Sequence, residues 1–249
     1  MPYDSRLRKQ WVEAGYDSKM GSACVVTPPS SQFRRVYHLA SAEFAISNIA
    51  FGRLRVSRFS DSNDPFELMA LTFNDGTSRN TIRKFKEEFD RKIGLLCFSA
   101  NWTSPVLWSH YGARHRGICL GFNVPRGEAI EVRYADDRLR TQVKKINDQQ
   151  EIDDALQDLL ISTKFRHWNY ENEFRVKVPL AKSIVEGNNH LWPFGKDLTL
   201  TEIILGPLCE LSLDAIRKIA EQLYPSAVTF QARLAIKSFD IVPKESTVP

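Results

Sequence analysis

Residues Trp168 to Arg175, WNYENEFR, place glutamates at 171 and 173 and an arginine at 175. In an extended backbone alternate side chains share a face. Glu171, Glu173 and Arg175 are then expected to project together, with Tyr170, Asn172 and Phe174 turned the other way. Two carboxylates side by side suit glycosyl transfer, where one stabilises an oxocarbenium-like transition state and the other positions a nucleophile. The alternative reading is a cross-strand ion-pair ladder with Arg175 and Lys177, a common arrangement. The run before it, Ile152 to Trp168, reads as a long amphipathic helix, so the carboxylates are expected at a helix-to-sheet junction, a frequent place for sites.

Three other segments carry groups able to do chemistry. Tyr37 and His38 close a short strand just before a helix start, where free backbone N–H groups and an imidazole can meet an anionic or hydroxyl-rich ligand. A half-buried histidine bonded to a neighbouring carbonyl is the other reading. The segment FSDSNDPFE sets Asp61, Asn63, Asp64 and Glu67 within seven residues. It reads either as a self-bonded Asp-Pro turn or as oxygen ligands for an ion. It lacks the glycine and the full ligand spacing of a calcium loop.

The stretch WSHYGARHRGICLGF puts Trp108, His110, Tyr111 and His115 beside Arg114 and Arg116. Rings next to cations can stack a base or a nicotinamide and neutralise phosphate. A core Trp and Tyr with solvated arginines is the plain alternative. His110 and His115 are five apart, which suits neither face of one helical turn and argues against a two-histidine zinc site.

The elements that must position these groups are legible from periodicity and stop signals. A strand is expected at Arg35 to Leu39, then a helix over Ala42 to Phe51 between Ser41 as cap and Gly52 as stop. Leu54 and Val56 alternate as a strand. Ile82 to Ile93 is a charged amphipathic helix, and Gly94 to Ser99 and Gly117 to Phe122 are apolar strands around a short helix at Pro105 to Tyr111. Further strands are expected at Ala129 to Tyr134, Glu173 to Leu180, Thr201 to Leu205, Val228 to Leu234 and Ile236 to Ile241, with a helix at Asp214 to Leu223. Without a regular βαβ beat the pattern predicts an α+β class, mixed and mainly antiparallel sheets with flanking helices. Residues 1–32 read as an N-terminal segment and linker, and 33–249 as one domain.

The 249 residues are 43% hydrophobic, enough for a sizeable core. No apolar run approaches the roughly 20 residues that cross a bilayer, and the N-terminus lacks an apolar secretory segment. The expected location is therefore cytoplasmic. Cys24, Cys97, Cys119 and Cys209 are widely separated without a CxxC pair and read as free thiols. A net charge of +4 is compatible with nucleic acid or a phosphorylated ligand and diagnostic of neither.

The spaced motifs YHLAS, FGRLRVSRFSDSNDPFE, GLLCFS, WSHYGARHRGICLGF, WNYENEFR and TEIILGP, from about Val36 to Ile241, resemble an uncharacterised bacterial domain-of-unknown-function family. Its members are often suspected of roles in phage defence or as toxins, which implies a neutralising partner protein. A more distant likeness is to the NAD-dependent ADP-ribosyltransferase superfamily. It rests on Tyr-His on a first strand, a central strand ending in serine and a late strand with Glu-x-Glu.

The likeness implies a corresponding fold, NAD as substrate with no metal, and a macromolecular acceptor such as nucleic acid. Residue by residue it implies that His38 holds the adenosine-side ribose and Ser99 supports the nicotinamide end, with Tyr37 beside them in the cofactor set. Glu173 is then the catalytic carboxylate and Glu171 orients the acceptor. Tyr111 joins the cofactor set, while Trp108, Arg114, His115, Arg116 and Arg175 are assigned to substrate and phosphate. The chain departs from that pattern in combining a first-strand histidine with Glu-x-Glu, and neither NDPFE nor the Trp108 to Gly117 block belongs to it. The rival readings are a metal-dependent nuclease with Asp64, Glu67, Glu171 and Glu173 as ligands and Arg175 on the phosphate, and a non-enzymatic sensor or docking module.

Overall fold

The computed structural model describes residues 29–62, 64, 66, 76–138 and 154–244. Thirteen strands are present among them: β1 (Phe33–Ala40), β2 (Arg53–Arg55), β3 (Ile93–Ser99), β4 (Ile118–Pro125), β5 (Ile130–Glu131), β6 (Arg133–Ala135), β7 (Thr163–Phe165), β8 (Glu173–Pro179), β9 (Ile184–Glu186), β10 (Asn189–Pro193), β11 (Thr199–Leu205), β12 (Val228–Leu234) and β13 (Ile241–Pro243). Five α-helices accompany them: α1 (Ala42–Phe51), α2 (Gly76–Lys92), α3 (Pro105–His110), α4 (Asp154–Ile161) and α5 (Leu213–Leu223). Eight strands form one sheet in the order β13-β12-β11-β4-β1-β3-β8-β5, within which only β11 and β12 run parallel. A three-stranded sheet β2-β10-β9 and a parallel pair β6-β7 lie beside it. The expected α+β class with mainly antiparallel sheets and flanking helices is what the chain adopts.

β4 sits between β1 and β11 with both faces covered, which explains its near-continuous apolar run and the burial of Ile118, Cys119, Leu120, Phe122 and Val124. On one face Ala45 and Ile49 of α1 and Ile216 and Ala220 of α5 pack with Val36, Leu120 and Ile203 in the main core. The opposite face carries two smaller cores. Trp102, Trp108, Cys119, Ile204 and Phe230 form one, while Phe89, Leu95, Leu160 and Ile161 form the other. Local chemistry agrees with α1: the Ser41 hydroxyl accepts from the Phe44 N–H, and Gly52 ends the helix at φ 62°.

The sheet parts in its middle. β1 is in register with β4 from Phe33 to Ala40, and β3 with β8 from Ile93 to Ser99. β1 and β3 themselves meet at one register position, Tyr37 opposite Ser99. Beyond that position the two strands diverge, and the space between the two smaller cores opens there.

Several sequence expectations are corrected. The helix predicted over Ile152 to Trp168 is α4 alone, eight residues, because Thr163–Phe165 leaves it to pair with β6 and Arg166–Glu171 winds into a 3-10 helix. Ala129 to Tyr134 is two short strands, since β5 pairs with β8 and β6 with β7. The stretch Ile236 to Ile241 is mainly a turn in which Ile236 and Phe239 are exposed, and the strand starts at Ile241. The hairpin β9-β10 is an element that the periodicity does not predict. Most of the expected N-terminal segment, together with Cys24, Asn63, Pro65 and Glu67, lies outside the described residues.

Candidate functional site

The opening between β1 and β3 is a cleft of about 360 Å³. Tyr37, His38 and Leu39 form one wall, Leu95 and Cys97 to Ser99 another, and Ser57 to Phe59 with Asp61 and Ser62 the rim. Leu107 and Tyr111 close it from α3 and the following turn, and Lys164, Glu171, Glu173 and Arg175 form its charged end. Its volume falls in the range of ligand pockets, roughly 300–1,000 Å³, and it has their composition of apolar walls around a few polar groups.

The charged end is a closed network of buried ions. Arg175 donates to Glu173 through Nε (2.8 Å) and Nη2 (3.0 Å), and through Nη1 to the Ile161 carbonyl (2.7 Å). Lys164 Nζ bridges the carboxylates, at 2.6 Å from Glu171 and 3.2 Å from Glu173. Tyr111 donates its hydroxyl to the other oxygen of Glu171, and the Tyr134 hydroxyl accepts from the Glu173 N–H at 2.9 Å.

These environments drive the two carboxyls apart. Burial raises the Glu171 pKa, against the opposing pull of Lys164 and Tyr111. Burial also works against ionisation of Glu173, but the Arg175 guanidinium and then Lys164 outweigh it and hold Glu173 below the usual carboxylate range. Glu173 is thus a fixed anion, and Glu171 is the group nearer to changing protonation.

Glu171 is not on the strand. Residues Arg166–Glu171 are 3-10 helical and Asn172 turns the chain at φ 43°, so β8 begins at Glu173. The expected sharing of a face holds for Glu173 and Arg175, with Phe174 buried on the other side. Glu171 reaches the same cleft from the helix end instead. Ser99 stands opposite Glu173 across the β3-β8 pair.

His38 has the strand parity of Val36 and Ala40, yet it lines the cleft because β1 and β3 separate there. Its Nδ1 lies 3.2 Å from the Cys97 carbonyl oxygen. Burial lowers its pKa, partly offset by that hydrogen bond, so the neutral ring donates from Nδ1 and keeps an Nε2 lone pair to accept from a ligand hydroxyl. Tyr37 turns to the opposite side of β1, its hydroxyl 3.4 Å from the buried Glu202 that also pairs with Arg35.

The structure brings together Tyr37, His38, Ser99, Tyr111, Glu171, Glu173 and Arg175 out of the sequence-derived set. Trp108, Arg114, His115 and Arg116 do not line the cleft. Trp108 is fully buried with its indole N–H donating to the Trp102 carbonyl at 2.6 Å, which corrects the expectation of a stacking surface. Ala113, Arg114 and His115 all have positive φ, and this turn is tied to Leu208 through the His115 carbonyl, while Arg116 pairs with Glu210 at 2.7 Å. Arg175 is spent on Glu173 and Ile161, so its expected role as a free phosphate ligand is corrected to that of a buried clamp.

Lys164 is not among the residues the sequence points to, because Ile152 to Trp168 reads as one helix. The alternation of KFR before the 3-10 turn was its only cue. Asp64 accepts from the Phe66 N–H at 2.9 Å and donates its own N–H to Ser62 Oγ at 3.2 Å, the bonds of a self-contained turn. Among the described residues no group of three or more His, Cys, Asp or Glu converges as a metal site.

Comparison with known proteins bears on the part of the cleft that runs from α3 to β8. Residues 107–176 match the family described as protein of unknown function (DUF2971). No curated protein and no solved structure matches the chain. The family is of the kind the motifs suggested, and these comparisons do not support the superfamily likeness. The DUF2971 segment carries Leu107, Tyr111, Lys164, Glu171, Glu173 and Arg175, while the wall with His38 and Ser99 comes from strands outside it.

Proposed function

We propose that the cleft binds NAD and that the chain transfers its ADP-ribose to a macromolecular acceptor. One observation carries this reading: His38, Ser99, Tyr111 and Glu173, remote from one another in sequence, line one cleft where the central sheet divides. Breaking the nicotinamide glycosidic bond builds positive charge on the ribose. An anion fixed beforehand, as Glu173 is, stabilises that charge more in the transition state than in the ground state. Glu171, whose burial raises its pKa, is suited to take a proton from the acceptor. His38 Nε2 would accept from a ribose hydroxyl, and the apolar walls Leu39, Leu95, Phe98 and Leu107 exclude water that would divert the reaction to hydrolysis. The nuclease reading is less favoured because the place between Glu171 and Glu173 is taken by the Lys164 ammonium.

The test is nicotinamide release from NAD, followed by proton NMR in excess EDTA, for the wild type and Glu173→Gln. Loss of the charge is expected to slow release by about 10² to 10³-fold. The substitution also leaves Arg175 and Lys164 partly uncompensated in a buried setting, so it costs stability, and both proteins are compared at a temperature where circular dichroism shows them folded. Near-wild-type turnover in the folded variant, or no release from the wild type with any acceptor extract, would overturn the reading.

A further inference from the structure

The segment that carries Lys164 into the cleft continues as an open row of rings. Phe165 is 48% exposed and stacks on His167 with centroids 4.8 Å apart and planes at 22°. Trp168 lies under the Lys164 ammonium at 4.8 Å and 6.0 Å from Tyr170. Tyr170 in turn stacks on His110 of α3, at 5.8 Å and 26°. The row ends at Glu171 and Tyr111, both in the cleft.

Phe165 and His167 are exposed and Trp168 and Tyr170 half-buried, and none of the four rings belongs to one of the hydrophobic cores. Grouped aromatics left in water mark a surface that another molecule covers. The chemistry of that molecule follows from the intervening residues. In FRHWNY, Arg166 and His167 alternate with Phe165, Trp168 and Tyr170, and no acidic side chain interrupts the run before Glu171. Arg166 pairs with Asp136 at 2.6 Å, but both side chains are more than half exposed, so the pair is weak and exchangeable for a phosphate. Arg133, exposed on β6, lies opposite Thr163 beside the start of this segment.

We infer that this ledge docks a single-stranded nucleic acid, its bases stacking along Phe165, Trp168, Tyr170 and His110 and its phosphates meeting Arg166 and Arg133. The ledge leads a base to the Glu171 end of the cleft. Stacking on planar rings accepts any base, whereas a duplex offers its base faces to no protein ring. The inference depends on the proposed transferase reading only for what the docked strand would undergo.

The experiment is fluorescence anisotropy with labelled 12-nucleotide oligo-dT and oligo-U strands and a duplex of equal length, in the absence of NAD, at two salt concentrations. Single strands are expected to bind at least ten-fold more tightly than the duplex. Tyr170→Ala and Trp168→Ala should each weaken binding by on the order of ten-fold. The exposed Phe165→Ala and His110→Ala, which remove nothing from the core, should weaken it in the same direction. Arg166→Ala should flatten the salt dependence. Equal affinity for strand and duplex, no binding by the wild type, or binding indifferent to all four ring substitutions would overturn the ledge. NAD turnover without oligonucleotide binding sinks this inference and leaves the transferase; oligonucleotide binding without NAD turnover does the reverse.

Discussion

The chemistry of the site depends on how single residues are charged, and His38 offers the cleanest measurement. Burial holds its pKa below the ordinary value, while the unfolded chain takes up the proton near pH 6.5. Between the folded and unfolded values the unfolded state binds more protons, so its contribution to stability rises with pH and is lost as pH falls below about 6.5. His115 is also lowered by burial and acts in the same direction. His38→Gln leaves that second contribution in place, so subtraction isolates the first. Urea unfolding at pH 7.5 and 5.5 should show a smaller loss of stability on acidification in His38→Gln than in the wild type. Equal losses would mean that the imidazole is solvated and not held neutral against the Cys97 carbonyl.

At the scale of elements, the cleft exists because β1 keeps β4 as its full-length partner while β3 keeps β8. The close seam of β1 with β4 is sensitive at Gly117, just before β4. A methyl there would overlap the Ala40 carbonyl oxygen and come within 2.9 Å of the Gly112 carbonyl oxygen, neither of which can rotate away as a side chain can. Gly117→Ala should therefore cost roughly 2–3 kcal/mol, measured by urea unfolding. A neutral substitution would show that the turn from Gly112 to Gly117 yields easily. The 3-10 turn at Arg166–Glu171 matters in the same way, since it delivers Glu171 to the cleft and frees the rings before it for the ledge.

For the whole molecule, binding to the folded cleft must raise stability by mass action. Under the proposed NAD-binding reading, the nucleotide at about 100 times its dissociation constant would add roughly 2.7 kcal/mol. For a chain of this size that corresponds to a rise in Tm of about 5–10 °C. Differential scanning fluorimetry with NAD should show this rise unchanged by EDTA. A protein indifferent to NAD but stabilised by magnesium or manganese would instead revive the nuclease. No helix among the described residues is long and apolar enough to cross a membrane.

The sequence by itself determined the α+β class, the apolar strands of the centre and the caps of α1, because these depend on local periodicity and on residues such as Ser41 and Gly52 that act on their own neighbours. It also singled out Tyr37, His38, Tyr111, Glu171, Glu173 and Arg175, whose types stand out against their surroundings, while Ser99 entered only through the superfamily likeness. Only the tertiary structure decided that these residues meet, since the parting of β1 from β3 is a choice of strand partner that no local pattern encodes. It decided against Trp108 as a stacking surface, because burial of a ring depends on what packs over it. It revealed Lys164 between the two glutamates, because a lysine read as one turn of a solvated helix becomes a buried counter-ion once the chain leaves α4 after Ile161 and β7 pairs with β6.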